Sequence, residues 1–251
     1  MTLSSRIVVL CGLALFAVGG HYAPAAEASR SAVVQQPITP QGDREALMQE
    51  HFGSVMRVYE AVTRGDLPTA RASARAIAER PDPPNLPPGA APYLQSMKTA
   101  ASRVASGATV QETAAAAAAM LATCGNCHRA VGTMPAHAAP LEPVVGGVIG
   151  HMQAHKAAVD LMAQGLTIPS TATWNAGADA LATAPLRRGK MPTDPKLSGE
   201  VLASETAVHD LAGRARQADD QASRAAVYGE IIESCATCHS LHGNVWGPEK
   251  K

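Results

Sequence analysis

The sequence predicts an all-α protein made of two tandem four-helix bundles, and three observations lead to this prediction. Apolar residues recur at the 3.6-residue spacing of amphipathic helices along most of the chain. No strong strand signal is present. The pattern C-x-x-C-H occurs twice, as CGNCH at 124–128 and as CATCH at 235–239. Each copy lies at the end of the last predicted helix in a set of four.

The first set of helices begins in the segment DREALMQEHFGSVMRVYEAVTRGDL. Its apolar stripe consists of Leu47, Met48, Phe52, Val55, Val58, Tyr59 and Val62. Gly65 marks the end of this helix. A second helix, TARASARAIAER, stops at the proline cluster of 81–88. A third and a fourth, APYLQSMKTAASRVASG and VQETAAAAAAMLATCGNCHRAVG, are parted by Gly107. Alanine is the best helix former, so the alanine run of the fourth favours a helix.

The second set repeats this order after a segment rich in proline and glycine. Its predicted helices are GVIGHMQAHKAAVDLMAQG, STATWNAGADALAT, GEVLASETAVHDLAGRARQ and DQASRAAVYGEIIESCATCHSLHG. Short connections between helices are typical of antiparallel bundles. The predicted organisation is a signal peptide at 1–28, a first domain at 29–133, a linker at 134–146 and a second domain at 147–251.

The N-terminus indicates export. One arginine, about a dozen apolar residues and then small residues of the A-x-A type are the pattern of a secretory signal, with cleavage expected after Ala25 or Ala28. The alternative is an uncleaved membrane anchor, but a span needs about 20 apolar residues and this run is shorter. We therefore expect a periplasmic protein.

Charge composition argues against a nucleic-acid partner. The chain of 251 residues has 21 Lys plus Arg and 21 Asp plus Glu, without a basic patch. No nucleic-acid partner is therefore expected.

The C-x-x-C-H string is the signature of covalent haem c attachment. On a helix, residues i, i+3 and i+4 share a face. Two thiols can therefore add to haem vinyl groups while the imidazole binds the iron. The sequence predicts two covalent haem c groups, held by Cys124, Cys127, Cys235 and Cys238, with His128 and His239 as proximal iron ligands.

Three other interpretations of the cysteines explain the pattern less well. A zinc site would have an unusually long spacing between its cysteine pairs and no use for the histidines, so no zinc is expected. A redox dithiol expects a βαβ setting. Two local disulfides would also leave the histidines without a role.

With its attachment motif on the last helix of each set, the chain resembles class II c-type cytochromes, the cytochrome c′ type. That resemblance implies four-helix bundles and a distal residue from the first helix, commonly within Arg-x-x-x-Met. Arg44 and Met48 match this string in the first half, whereas the second half has Val148 before Met152.

Two candidates compete for each distal position, because the first helices contain MQEH at 48–51 and MQAH at 152–155. The family pattern favours Met48 and Met152. Haem iron also binds histidine, so His51 and His155 are equally good candidates on chemical grounds. A third interpretation is that these side chains only pack in the core.

The expected function is electron transfer by an exported dihaem cytochrome that carries single electrons between redox partners and is not an enzyme. The alternative is a protein that binds a small gas, nitric oxide or carbon monoxide, at one open distal site. A third class, a dihaem peroxidase, would need His51 or His155 as an acid or base beside an open iron.

Overall fold

The computed structural model describes residues 40–134, 147–183 and 196–242. In these ranges it has eight α-helices and no strand, which confirms the all-α class for this part of the chain. The helices are α1 (Pro40–Thr63), α2 (Leu67–Ala78), α3 (Ala91–Ser106), α4 (Val110–Val131), α5 (Gly147–Thr167), α6 (Thr171–Ala182), α7 (Ser198–Ala215) and α8 (Gln221–Leu241). The predicted signal peptide at 1–28 and all but the first residue of the linker at 134–146 lie outside the described residues.

Side chains and turns at the helix ends explain most of these bounds. Gly65, at φ 73°, follows α1 in the left-handed conformation that glycine adopts without strain. Asp66 then caps α2 by accepting a hydrogen bond from the Thr69 amide at 3.1 Å. Asp220 begins α8 with a capping box shared with Ser223.

The core draws on all eight helices. Buried apolar residues from both sets form one cluster, which includes Val58, Leu121, Leu166, Trp174 and Ile231. The described residues from Pro40 onward belong to one compact unit. A division of this unit into two separate bundles therefore stays a prediction.

The most extensive packing between the two sets joins α4 to α8. A side chain at Gly229 would lie 3.1 Å from the Cα of Ala115, and the Gln221 amide nitrogen is 3.3 Å from the carbonyl oxygen of Ala122. As α8 runs from 221 to 229, its contacts on α4 run backwards, so the two helices are antiparallel. The small residues of the alanine run allow this close approach.

None of the described helices has the length and apolar character needed to cross a membrane.

Replacement of Gly229 by leucine tests the close contact of α4 with α8. We expect Gly229→Leu to lower the free energy of unfolding by about 1–3 kcal/mol, because the new side chain meets the backbone of α4. The matched control is Gly213→Leu on the exposed face of α7, where nothing lies within 4 Å. Denaturant unfolding of both variants should show the control unchanged or stabilised by up to about 1 kcal/mol. Equal free energies of unfolding for the two variants would contradict the close contact of α8 with α4 at Gly229.

Candidate functional site

Both C-x-x-C-H motifs are helical from end to end. α4 continues through Cys124, Cys127 and His128, and α8 continues through Cys235 to His239 and beyond. Each motif therefore presents two thiols and one imidazole on one face of a helix. All four of these cysteines are free and partly buried.

The imidazole of each motif is held by a backbone carbonyl. His128 Nδ1 lies 2.7 Å from the Thr167 oxygen, and His239 Nδ1 lies 2.8 Å from the Thr63 oxygen. A carbonyl can only accept, so Nδ1 carries the proton and donates it. Nε2 then keeps the lone pair that a metal requires. A metal-binding histidine usually donates its other nitrogen in this way, and the donor set therefore fits a haem iron.

The environment of the thiols disfavours a redox dithiol. Burial, with a smaller contribution from the neighbouring motif thiol, raises the pKa of Cys124 and of Cys235 to about 12. The motifs lie near the C-termini of their helices, where the backbone dipole opposes a thiolate. A reactive dithiol needs the opposite, a lowered thiol pKa. The raised pKa therefore disfavours thiol exchange at these cysteines.

A cluster of histidines surrounds the predicted distal position of the second half. The ring of His155 lies 4.2 Å from that of His151 on the same helix and 5.5 Å from that of His209 on α7, measured between centroids. His155 Nε2 is buried and has no hydrogen-bond partner among the described residues. Burial first, then the neighbouring rings of His151, His209 and His239, lowers its pKa to about 3. His155 is therefore a neutral imidazole close to His239 of the second motif.

Met152, the other candidate in the second half, is partly buried on α5. The backbone places it one turn before His155. The buried, unpaired Nε2 makes His155 the stronger donor of the two.

His209 is a further member of this cluster. It is partly buried on α7, and its Nδ1 is 2.9 Å from the Leu181 oxygen. Its ring packs edge-on against that of His155.

Sequence reasoning missed two further members of this cluster. His151 is 1% exposed, and burial lowers its pKa although the charge of Glu205 opposes this shift. Glu205 is 6% exposed, and its charge adds to the burial that raises the pKa of Cys238. The signal was available in the four-residue spacings of His151 to His155 and of Glu205 to His209, which place each pair on one helix face.

The first half arranges its candidates differently. Met48 is 43% exposed. His51 has a buried Nε2 without a hydrogen-bond partner among the described residues. It lines a cavity with Ser54 and Val55 of α1, Ile77 of α2, Arg80 and Pro81 after α2, and Leu94, Met97 and Lys98 of α3.

This cavity is cationic on one side. Burial first, then the positive charge of Arg80, lowers the pKa of His51. Arg80 also pairs with Glu50 at 3.2 Å. The cavity lining comes from α1 to α3, whereas His155 lies close to the motif of α8, so the two halves do not place their histidines equivalently.

Among the described residues, no group of three or more His, Cys, Asp or Glu side chains is arranged to hold a metal ion by itself. The histidine cluster forms a polar environment beside the second motif.

Comparison of the chain with protein-family models, with curated proteins and with solved structures found no match.

In the chain without haem, acid should destabilise the fold through His155. Its pKa is about 3 when folded and about 6.5 when unfolded. Below pH 6.5 the unfolded chain binds a proton that the folded chain does not. The free energy of unfolding therefore decreases as the pH is lowered, by up to about 1.4 kcal/mol per pH unit for one such group. At pH values above 6.5 the two states bind equally and the effect is absent.

We expect His155→Asn to lose part of this acid sensitivity, measured as the free energy of unfolding between pH 7.5 and 5. Gln153→Ala, at an exposed position of the same helix, is the control and should keep the slope of the original chain. An identical slope in the His155 variant would show that this ring is already solvated.

Proposed function

We propose that the chain is an exported dihaem c-type cytochrome that carries single electrons between protein redox partners. Cys124 and Cys127 would hold one haem, and Cys235 and Cys238 the other. His128 and His239 would be the proximal ligands. When bound, the haem supplies the one-electron chemistry.

One observation supports this proposal above the others: both motif imidazoles donate Nδ1–H to a helix-end carbonyl. This hydrogen bond fixes the tautomer with Nε2 available, and it is made independently at both motifs. A zinc or disulfide interpretation gives these rings no role.

The same proposal includes the organisation of the chain as two tandem units similar to class II cytochromes. The order of four helices, with the motif on the fourth, occurs in both sets. The placement of the protein in the periplasm depends on the signal sequence alone.

For the second half, we assign His155 as the distal ligand in preference to Met152. Its Nε2 is buried and lacks a hydrogen-bond partner in the described part of the chain, and His239 is close enough to affect its charge. Neutral imidazoles on both sides would favour a low reduction potential relative to methionine.

A second function, binding of a small gas, is favoured by one observation in the first half. Met48 is exposed, and His51 faces a cavity between α1, α2 and α3. If neither of them reaches the iron, the distal side of that haem is open.

A redox titration followed by optical spectra, and spectra with and without carbon monoxide, test both functions on the full exported chain. Electron transfer at both sites predicts two reversible one-electron steps and low-spin spectra that carbon monoxide does not change. A high-spin signal from one haem that shifts with carbon monoxide would favour gas binding, and the absence of any haem spectrum would refute both.

His155→Ala tests the distal assignment within the same experiment. We expect one haem to become high-spin and to bind carbon monoxide, because its sixth ligand is removed. Met152→Ala is the matched control one turn away and should leave the spectrum low-spin. If only the methionine variant changes, the assignment to His155 is wrong.

A further inference from the structure

Each motif histidine is bonded to the opposite half of the chain. His128, in the first half, bonds to the Thr167 carbonyl at the end of α5, and His239, in the second half, bonds to the Thr63 carbonyl at the end of α1. The last four carbonyls of a helix have no intrahelical partner. The two bonds therefore satisfy helix ends that would otherwise need another donor.

The first of these contacts depends on a very close approach of α4 to the end of α5. A side chain at Gly125, inside the first motif, would collide with the Leu166 carbonyl oxygen and lie 2.6 Å from the Gln221 amide nitrogen. At the corresponding position the second motif has Ala236, which is buried. Glycine is thus required by packing in one motif and not in the other.

Gln221, at the start of α8, links the same three helices. Its side-chain amide donates to the Leu166 oxygen of α5 at 2.5 Å and to the Ala122 oxygen of α4 at 3.3 Å. These two hydrogen bonds fix the end of α5 beside the first motif.

We propose that the two halves complete each other's haem sites: the C-terminus of the first helix of each half orients the proximal histidine of the other. Gly125 and Gln221 are the positioning residues for His128. The inference rests on the proposed haem function and extends it, because it makes the electronic properties of the first haem depend on the second half.

The sign of the effect follows from the hydrogen bond. A carbonyl that accepts the Nδ1 proton makes the imidazole a stronger donor, and the negative end of the α5 dipole adds to this. Both stabilise ferric over ferrous iron. Loss of the contact should therefore make the reduction potential of the first haem more positive.

The test is a redox titration, with optical spectra, of the full haem-loaded chain carrying Gly125→Ala. Alanine is already present at this place in the second motif, so attachment should continue. We expect a positive shift for the first haem and none for the second. The two steps are assigned with a reference chain that carries Cys235→Ala and Cys238→Ala and so retains only the first haem.

Asn126→Ala is the matched control, because this neighbouring motif residue is exposed; it should leave both potentials unchanged. Gln221→Ala is a second variant in case Gly125→Ala does not fold, and Gln221→Met keeps the approximate size and the neutral charge but removes the N–H donor. Both should shift the first haem in the same direction.

Unchanged potentials in Gly125→Ala and both Gln221 variants, or equal shifts of both haems, would overturn the inference. Those outcomes leave the proposed function standing, provided that the original chain carries two haems. A chain without covalent haem would instead remove the proposed function.

Discussion

The close antiparallel contact of α4 with α8 positions everything else in the structure. Small residues on α4 and Gly229 on α8 allow the backbones to approach, and each motif helix then reaches the end of a first helix from the other set. The contact also separates the motifs. Gln221, at the start of α8, lies beside Ala122, which is two residues before the first motif. Cys235 follows Gln221 by 14 residues. At 1.5 Å per residue, the second motif is therefore roughly 20 Å from the first along α8.

Helix positions were predictable from the sequence because they depend on local patterns. The apolar stripe of α1 and the stop at Gly65 are both contained in about 25 residues. The structure ends α1 before Gly65 and buries the later part of the stripe, from Val55 to Val62, whereas Met48 and Phe52 are exposed. The C-x-x-C-H strings likewise place two cysteines and a histidine on one face by helix geometry alone.

The partners of these helices were not predictable in the same way. The alanine run indicates a helix but does not reveal that it packs on α8, because alanine has no shape that selects a partner. The bonds of His128 to Thr167 and of His239 to Thr63 join residues 39 and 176 positions apart. The burial of His209 depends on contacts with α5 and α6 that its own segment does not encode.

The two halves are similar in sequence order and different in their polar interiors. In the second half, His151, His155, His209 and Glu205 lie together near the motif of α8. In the first half, Leu47 occupies the place that corresponds to His151, and His51 faces Arg80 and Lys98 instead. Two sites of unlike polarity are what a protein needs if its two redox centres are to differ in electron affinity.

The central claim is that both motifs bind haem covalently, and the intact mass of the exported full chain under denaturing conditions tests it most directly. The account predicts the mature chain plus two haem groups, and one haem fewer when either cysteine pair is replaced by alanine. A mass equal to the bare polypeptide, or to the polypeptide less two hydrogens for each disulfide, would contradict it.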